Sequence, residues 1–163
     1  MARAGLPAGL SLARPATFLA TGAGTGLLPK APGTWGSLVA LPLAWGAVVV
    51  GGPVGAVALG LALFAAGVWA SNAVLAAGGD GDPGYIVIDE IAAQILVLAA
   101  APLAPLPYLV GFALFRLFDV TKPWPVGWAD RAVKGGFGVM LDDLLAAVYA
   151  GGLLIAALRF GLL

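Results

Sequence analysis

Charged residues divide this 163-residue chain into three long apolar runs. No charged residue occurs at positions 31–79, 91–115 or 144–158. A membrane-spanning helix needs about 20 apolar residues, so the first run can hold two such helices. Strand-like alternation of polar and apolar positions is not sustained anywhere, and the pattern therefore predicts an all-α, multi-helical membrane bundle.

Glycine and proline positions predict where the helices of this bundle break. Gly51-Gly52-Pro53 lies near the middle of the first run. Because this sequence breaks helices, we expect a tight hairpin between helices at 37–50 and 54–77. Three prolines between 102 and 107 divide the second run into helical pieces of about 11 and 13 residues, too short to cross a hydrocarbon core of about 30 Å.

The first and second apolar runs are each broken near the middle, so the chain can cross the bundle and return within each run. This predicts that the charged segments before and after these runs lie on one common side. These segments are Lys30, residues 80–90 and residues 116–143, whereas Arg159 follows the undivided third run and falls on the other side. Lys and Arg concentrate on the common side, so the positive-inside tendency predicts that this side faces the cytoplasm.

Composition limits the chemistry that these charged segments can perform. The chain is 61% hydrophobic and 10% charged, has zero formal net charge, and contains neither Cys nor His. Thiolate nucleophiles, imidazole bases and Cys- or His-ligated metals are therefore excluded, and the balanced charge predicts no nucleic-acid partner. Any reaction must use carboxylates, Lys, Arg, hydroxyl groups or a cation bound by oxygen ligands.

The length fits a single domain covering residues 1–163. Residues 1–21 have no continuous apolar core with a small-residue cleavage site, so we expect a flexible N-terminal segment rather than a signal peptide. The Gly- and Pro-rich stretch at 22–37 can approach an anion closely, with Lys30 adding charge. A loop leading into a helix that Thr34 caps explains the same residues.

Adjacent acidic pairs occur at the edges of two apolar runs. Asp89-Glu90 lies among isoleucines, and Asp142-Asp143 comes directly before Leu144. Unpaired carboxylates at membrane depth are costly unless a cation or a base binds them, so these pairs predict a divalent cation, with a structural ion pair as the alternative for the first. Capping at the start of a helix explains one acid of the second pair. Asp80 and Asp82 are predicted to be turn residues.

The remaining charges also lie at the ends of apolar helices. Arg116 and Asp119 are three residues apart, and Asp130 and Lys134 are four apart, so each pair can form an ion pair on one helix face. Together, the candidate acids are Asp89, Glu90, Asp119, Asp142 and Asp143, and the candidate bases are Lys30, Arg116, Lys122, Arg131 and Lys134. Oxygen ligands for Mg²⁺ combined with such bases suit a reaction on a phosphate ester, with metal-activated water or an attacking Asp as nucleophile. A phospholipid or its precursor is the expected substrate, because it reaches the site from the membrane plane.

At these residues the sequence resembles the phosphatidylglycerophosphatase A family. The matching blocks occur in the family's order at 26–37, 86–90, 115–125 and 130–143. The sequence departs from the family where Ala93 replaces a frequent Gly, and a His that is common before position 82 is missing. Neither difference removes a carboxylate, although the second puts any role of a His in doubt.

The resemblance implies an all-helical, Mg²⁺-dependent phosphatase, multi-pass in the bacterial cytoplasmic membrane. Such an enzyme removes the terminal phosphate of phosphatidylglycerophosphate and leaves phosphatidylglycerol. Charge clustering and the four blocks lead to one hypothesis for the site. In it, Asp89, Glu90, Asp142 and Asp143 hold Mg²⁺, Asp119 is a ligand or the nucleophile, and Lys30, Arg116, Lys122 and Arg131 bind phosphate. The number of full crossings and the oligomeric state stay open.

Two other classes compete with this hypothesis. An alcohol phosphotransferase of phospholipid synthesis carries Asp-Gly-x-x-Ala-Arg, but Asp80-Gly81 is not followed by Ala-Arg. A non-enzymatic membrane scaffold or transporter subunit explains the apolar runs. It does not explain why acids and bases gather at helix ends on one side.

Overall fold

The computed structural model describes residues 6–7, 9–78 and 83–163, and all regular structure in these ranges is helical. The helices are α1 (Pro15–Ala20), α2 (Pro32–Ala76), α3 (Ile88–Leu98), α4 (Pro105–Thr121), α5 (Val126–Ala132) and α6 (Gly135–Arg159), with a short 3₁₀ turn at Thr25–Leu27 between the first two. Of these, α2 and α6 are long and apolar enough to cross a membrane. The predicted all-α class is confirmed, while Asp80 and Asp82 lie outside the described residues.

Gly52 divides α2 into two antiparallel halves. Its backbone, with φ 64° and ψ −167°, is in a region that only glycine occupies readily. Beyond this break the chain reverses. The two halves then lie so close that a Cβ on Gly55 would be 2.9 Å from the carbonyl oxygen of Ala47. Gly36 in the first half and Gly67 in the second both pack near the start of α3. The predicted hairpin is confirmed.

Helix α3 is the centre of the bundle. Nine of its eleven residues are buried, and the helices around it approach closely through small residues. Gly60 of α2 packs against Leu96, and Gly111 of α4 packs against Leu98. Because these contacts leave no room for larger side chains, α3 is held on several sides and the residues of its first turn are fixed in place.

One end of the bundle collects the charged segments. At this end α2, α3 and α6 begin and α4 finishes, so Arg116 reaches Glu90 and the Gly136 amide reaches Asn72. Arg159 closes α6, about 36 Å away along the helix axis at 1.5 Å per residue. This arrangement agrees with the predicted common side for the charged segments and the opposite side for Arg159.

Two predicted helix starts are wrong. α2 begins at Pro32 with Ala31 as its N-cap, not Thr34. The backbone N–H groups of the first helical turn have no partner within the helix, so proline, which has no N–H, fits that position. α6 begins at Gly135, so Asp142 and Asp143 lie two turns inside the helix instead of at its start.

The predicted N-terminal segment at 1–21 contains one short helix among its described residues. Residues Pro15–Ala20 form α1, in which Thr17 and Ala20 are buried. The Val87 amide donates a 2.9 Å hydrogen bond to the Ala20 carbonyl, which ties α1 to the residue preceding α3. This part of the segment is therefore packed against the site-bearing end of the bundle.

Candidate metal and phosphate site

A cavity of about 490 Å³ opens at the charged end of the bundle. Its charged lining residues are Asp89, Glu90, Arg116, Asp119, Lys122, Asp130, Lys134, Asp142 and Asp143. Glycines and small apolar residues supply the rest of the lining. The cavity therefore brings together all five candidate acids and two of the four residues proposed from the sequence to bind phosphate.

Three carboxylates meet in this cavity and form what we call the carboxylate triad: Asp89, Glu90 and Asp143. Each offers an oxygen atom that lies within 4.8 Å of the others. The first two come from the first turn of α3, and the third from α6. Oxygen ligands around Mg²⁺ lie about 3–4 Å apart, so small side-chain rotations bring these three oxygens into ligand positions.

The triad is an unfavourable place for uncompensated negative charge. Burial raises the pKa of the Asp89 carboxyl well above its usual range, and the neighbouring charge of Glu90 raises it further. Burial also raises the pKa of Glu90, even though the hydrogen bond with Asp89 and the charge of Arg116 act in the opposite direction. Glu90 Oε2 is buried and has no hydrogen-bond partner among the described residues. A divalent cation fits this orphaned oxygen and the oxygen-only donor set.

Arg116 connects the triad to α2 and α4. Its Nη1 lies 2.5 Å from Asp119 Oδ2, 3.9 Å from Glu90 Oε1 and 3.4 Å from Ser37 Oγ. The predicted ion pair between Arg116 and Asp119 is confirmed. The Asp119 carboxyl also lies beside that of Asp143, so the guanidinium pairs directly with Asp119 and Glu90 while Asp119 links it to the third acid of the triad.

Lys122 forms a second charged group at the other side of the cavity. Its Nζ donates to Asp130 Oδ1 at 2.5 Å and to Asp142 Oδ2 at 2.9 Å. Burial lowers the pKa of Lys122, but these two ion pairs raise it by more, so the ammonium stays charged. Asp142 is therefore bound to an ammonium group and is not part of the carboxylate triad.

The predicted ion pair between Asp130 and Lys134 is wrong. Helix α5 ends at Ala132, so the two residues do not share a helix face and the i,i+4 spacing does not bring them together. Lys134 lines the cavity at the N-cap of α6 and forms no ion pair within the part of the chain that the structure describes.

Lys30 and Arg131 lie elsewhere than the hypothesis placed them. Both are exposed and neither lines the cavity, although Ala31 does. Asp130 and Lys134 do line it. Lys134 was among the candidate bases but not among the proposed phosphate-binding residues, and Asp130 was not a candidate acid. The signal that could have found Lys134 is the Gly135-Gly136 pair after it, with which α6 begins.

Gly33 provides the space that Glu90 needs. A Cβ at this buried position would overlap Glu90 Oε1 and lie 2.9 Å from its Cδ and 3.2 Å from Arg116 Nη1. We expect Gly33→Ala to displace the carboxylate and reduce kcat/KM for the phosphate release that the family resemblance implies by about 10–100-fold, since displacement near 1 Å can cost this much. Gly84→Ala is the control, because Gly84 also lines the cavity but has open space where a Cβ would be. Equal activities of the two variants would contradict this role.

The fold and the cavity define a helical protein with membrane-length apolar helices and a buried acid and base site at one end. Relatives named phosphatidylglycerophosphatase A from Haemophilus influenzae and Escherichia coli are 39% and 37% identical to it over 150 and 153 residues. The alignments cover 86% and 89% of this chain, and 87% and 84% of those relatives. The family model for phosphatidylglycerophosphatase A matches residues 18–158, and the chain belongs to this family.

A third relative carries a different name. This protein from Bacteroides thetaiotaomicron, named as a candidate phosphatidylinositol-3-phosphatase, is 39% identical over 151 residues, covering 88% of this chain and 92% of its own. No solved structure matches the chain.

Proposed function

We propose that this protein hydrolyses the terminal phosphate monoester of phosphatidylglycerophosphate to phosphatidylglycerol and phosphate, a step of phosphatidylglycerol and cardiolipin synthesis. The observation that carries the proposal is a cavity in which a carboxylate triad, Arg116 and Lys122 meet, within a chain that belongs to the phosphatidylglycerophosphatase A family. Phosphate oxygens require cationic partners, and this cavity supplies them next to acids that can hold a metal.

Mg²⁺ is the proposed cofactor, with Asp89, Glu90 and Asp143 as its protein ligands. The support is their oxygen spacing, their burial and the orphaned Glu90 Oε2. A divalent cation bound there supplies positive charge for the phosphate oxygens and activates water as a nucleophile.

The chain's own residues perform the other tasks. The guanidinium of Arg116 is fixed by Asp119 and binds phosphate oxygens as negative charge develops in the transition state. Lys122 contributes a second positive charge, while Asp130 and Asp142 hold its ammonium at the cavity. Asp119 takes one of two roles that the experiment below separates. It accepts the proton of a water that attacks phosphorus as the bond to the glycerol oxygen breaks, or it attacks phosphorus itself, displaces that oxygen, and water then hydrolyses the aspartyl phosphate.

The proposed setting is the bacterial cytoplasmic membrane, with the two halves of α2 and helix α6 crossing it. Their apolar length and the collection of charges at one end support this orientation. The cavity then lies at headgroup level on the cytoplasmic side, where the phosphates of a lipid substrate are located.

The test is phosphate release by the purified protein in detergent micelles that contain phosphatidylglycerophosphate and Mg²⁺. Phosphatidic acid and phosphatidylinositol 3-phosphate serve as comparison substrates. We expect stoichiometric phosphate and phosphatidylglycerol, with kcat/KM at least about tenfold above that for the other lipids, a difference of about 1.4 kcal/mol in the barrier. Absence of release from phosphatidylglycerophosphate, or preference for phosphatidylinositol 3-phosphate, would overturn the proposal. Trapping of a phosphorylated Asp119 separates its two roles.

A further inference from the structure

The three cationic side chains that line the cavity differ in how they are paired. Arg116 contacts Asp119 and Glu90, and Lys122 contacts Asp130 and Asp142. Lys134 has no carboxylate partner in the described ranges, and its side chain is exposed. It therefore contributes the one cavity-lining positive charge of the described residues that no acid of the protein neutralises.

The backbone that carries Lys134 is firmly held. The backbone N–H of Gly136 donates a 2.7 Å hydrogen bond to Asn72 Oδ1 on α2. A Cβ on Gly136 would lie 2.7 Å from the backbone nitrogen of Asn72. On the other side, a Cβ on Gly138 would overlap the carbonyl of Val133. The start of α6 is thus packed against α2 and against the linker that precedes it, although the lysine side chain of this linker has no ion-pair partner among the described residues.

This combination fits a binding role better than a structural one. An exposed lysine without an ion-pair partner contributes little to folding stability. The cavity, in contrast, contains six carboxylates, and an incoming phosphate needs positive charge that those carboxylates have not already neutralised. Lys134 is placed at the start of α6, eight residues before Asp142 and about 12 Å from it along the helix axis, so it approaches the cavity from its rim.

We propose that Lys134 binds phosphate oxygens of the substrate at the rim of the cavity. The proposal rests on the proposed function, because it assigns the substrate contact within that same site. A lysine ammonium is a compact charge on a flexible stem and binds phosphate without requiring a fixed geometry. Phosphatidylglycerophosphate offers two phosphate groups of this chemistry, the terminal monoester and the phosphodiester next to the lipid.

Steady-state kinetics on Lys134→Met and Lys134→Arg test the proposal, with Arg159→Met as the matched control. Arg159 lies at the opposite end of the same helix, so its removal changes the net charge equally without affecting the cavity. We expect Lys134→Met to raise KM for phosphatidylglycerophosphate by at least about tenfold, with kcat within about threefold of wild type, because a charge-assisted phosphate contact is lost. Lys134→Arg should restore most of the affinity, and none of the three should change the unfolding temperature.

Two further measurements identify the phosphate group. Inhibition by inorganic phosphate weakens in Lys134→Met if the lysine binds the terminal phosphate. If it binds the phosphodiester, inhibition is unchanged and KM for phosphatidic acid, which has no phosphodiester, is unchanged too. A KM for phosphatidylglycerophosphate equal to that of wild type would overturn the proposal.

Binding without turnover separates this proposal from the proposed function. Calorimetric binding of phosphatidylglycerophosphate micelles in EDTA should be at least about tenfold weaker for Lys134→Met than for Arg159→Met, a difference of about 1.4 kcal/mol. An inactive wild-type enzyme would contradict the proposed function, while this binding difference would still support the lysine contact. Equal binding by the two variants would contradict the lysine contact, even in an enzyme that is fully active.

Discussion

Asp89→Asn should reduce kcat/KM for phosphate release from phosphatidylglycerophosphate by about a thousandfold or more. Asparagine keeps the shape of the side chain but removes the charge of one proposed Mg²⁺ ligand. Loss of a single charge-stabilising group in an active site costs about 10²–10³-fold by itself. Loss of cation binding adds to this effect. Phosphate release at saturating Mg²⁺ measures the change.

Stability distinguishes a site residue from a folding residue at this position. Because burial and Glu90 raise the pKa of Asp89, the folded protein disfavours the charge of this carboxylate. The neutral amide should therefore leave the unfolding temperature in EDTA unchanged or higher. Asp130→Asn is the same exchange outside the triad and removes only one of the two ion-pair contacts of Lys122. It should therefore retain a kcat/KM at least about tenfold higher than that of Asp89→Asn. Wild-type activity in Asp89→Asn would exclude it as a ligand.

Arg116→Met should impair both activity and stability. The guanidinium forms ion pairs with Asp119 and Glu90 at the edge of the carboxylate triad, and its side chain is only 18% exposed. Removing one partner of a largely buried ion pair leaves uncompensated charge, so we expect about 2–4 kcal/mol lower unfolding free energy in EDTA and about 10²–10³-fold lower kcat/KM.

Two comparisons complete the test of Arg116. Arg116→Lys keeps the charge and should recover part of the stability. Its compact ammonium on a shorter stem does not place a donor where Nη1 contacts Asp119 and Ser37, so the variant should stay impaired in kcat. Saturating Mg²⁺ should recover part of the stability of Arg116→Met, because a bound cation compensates the same carboxylates. If Arg116→Met and the wild type unfolded in EDTA at the same midpoint concentration of denaturant, the role assigned to the guanidinium would be contradicted.

The hairpin and the common side of the charges could be predicted because both depend on local signals. Gly52 marks its own break, and the apolar runs fix how often the chain changes sides. The start of α6 could not be predicted in the same way. Its glycines are typical of a loop, and only packing against Asn72 and Val133 makes them the first turn of a long helix.

The five candidate acids of the site could be predicted, but not how they divide between two charged groups. Asp142 and Asp143 are adjacent in sequence, and adjacent helix residues point about 100° apart at 3.6 residues per turn. One therefore faces Lys122 on the α4 side, while the other joins Asp89 and Glu90. Sequence spacing could not show this, because the partners come from helices that are distant in the chain. Sequence spacing likewise could not show that Lys30 is exposed outside the cavity whereas Arg116 lies within it.

The central claim is that the carboxylate triad holds the divalent cation on which phosphate release depends. Its most direct test is the rate of phosphate release from phosphatidylglycerophosphate as Mg²⁺ is added to EDTA-treated enzyme, compared between wild type and Asp143→Asn. We predict no release before metal is added, saturable activation of the wild type, and a variant that stays about 10³-fold slower or needs at least tenfold more Mg²⁺. Undiminished release in EDTA, or wild-type activation of Asp143→Asn, would contradict the claim.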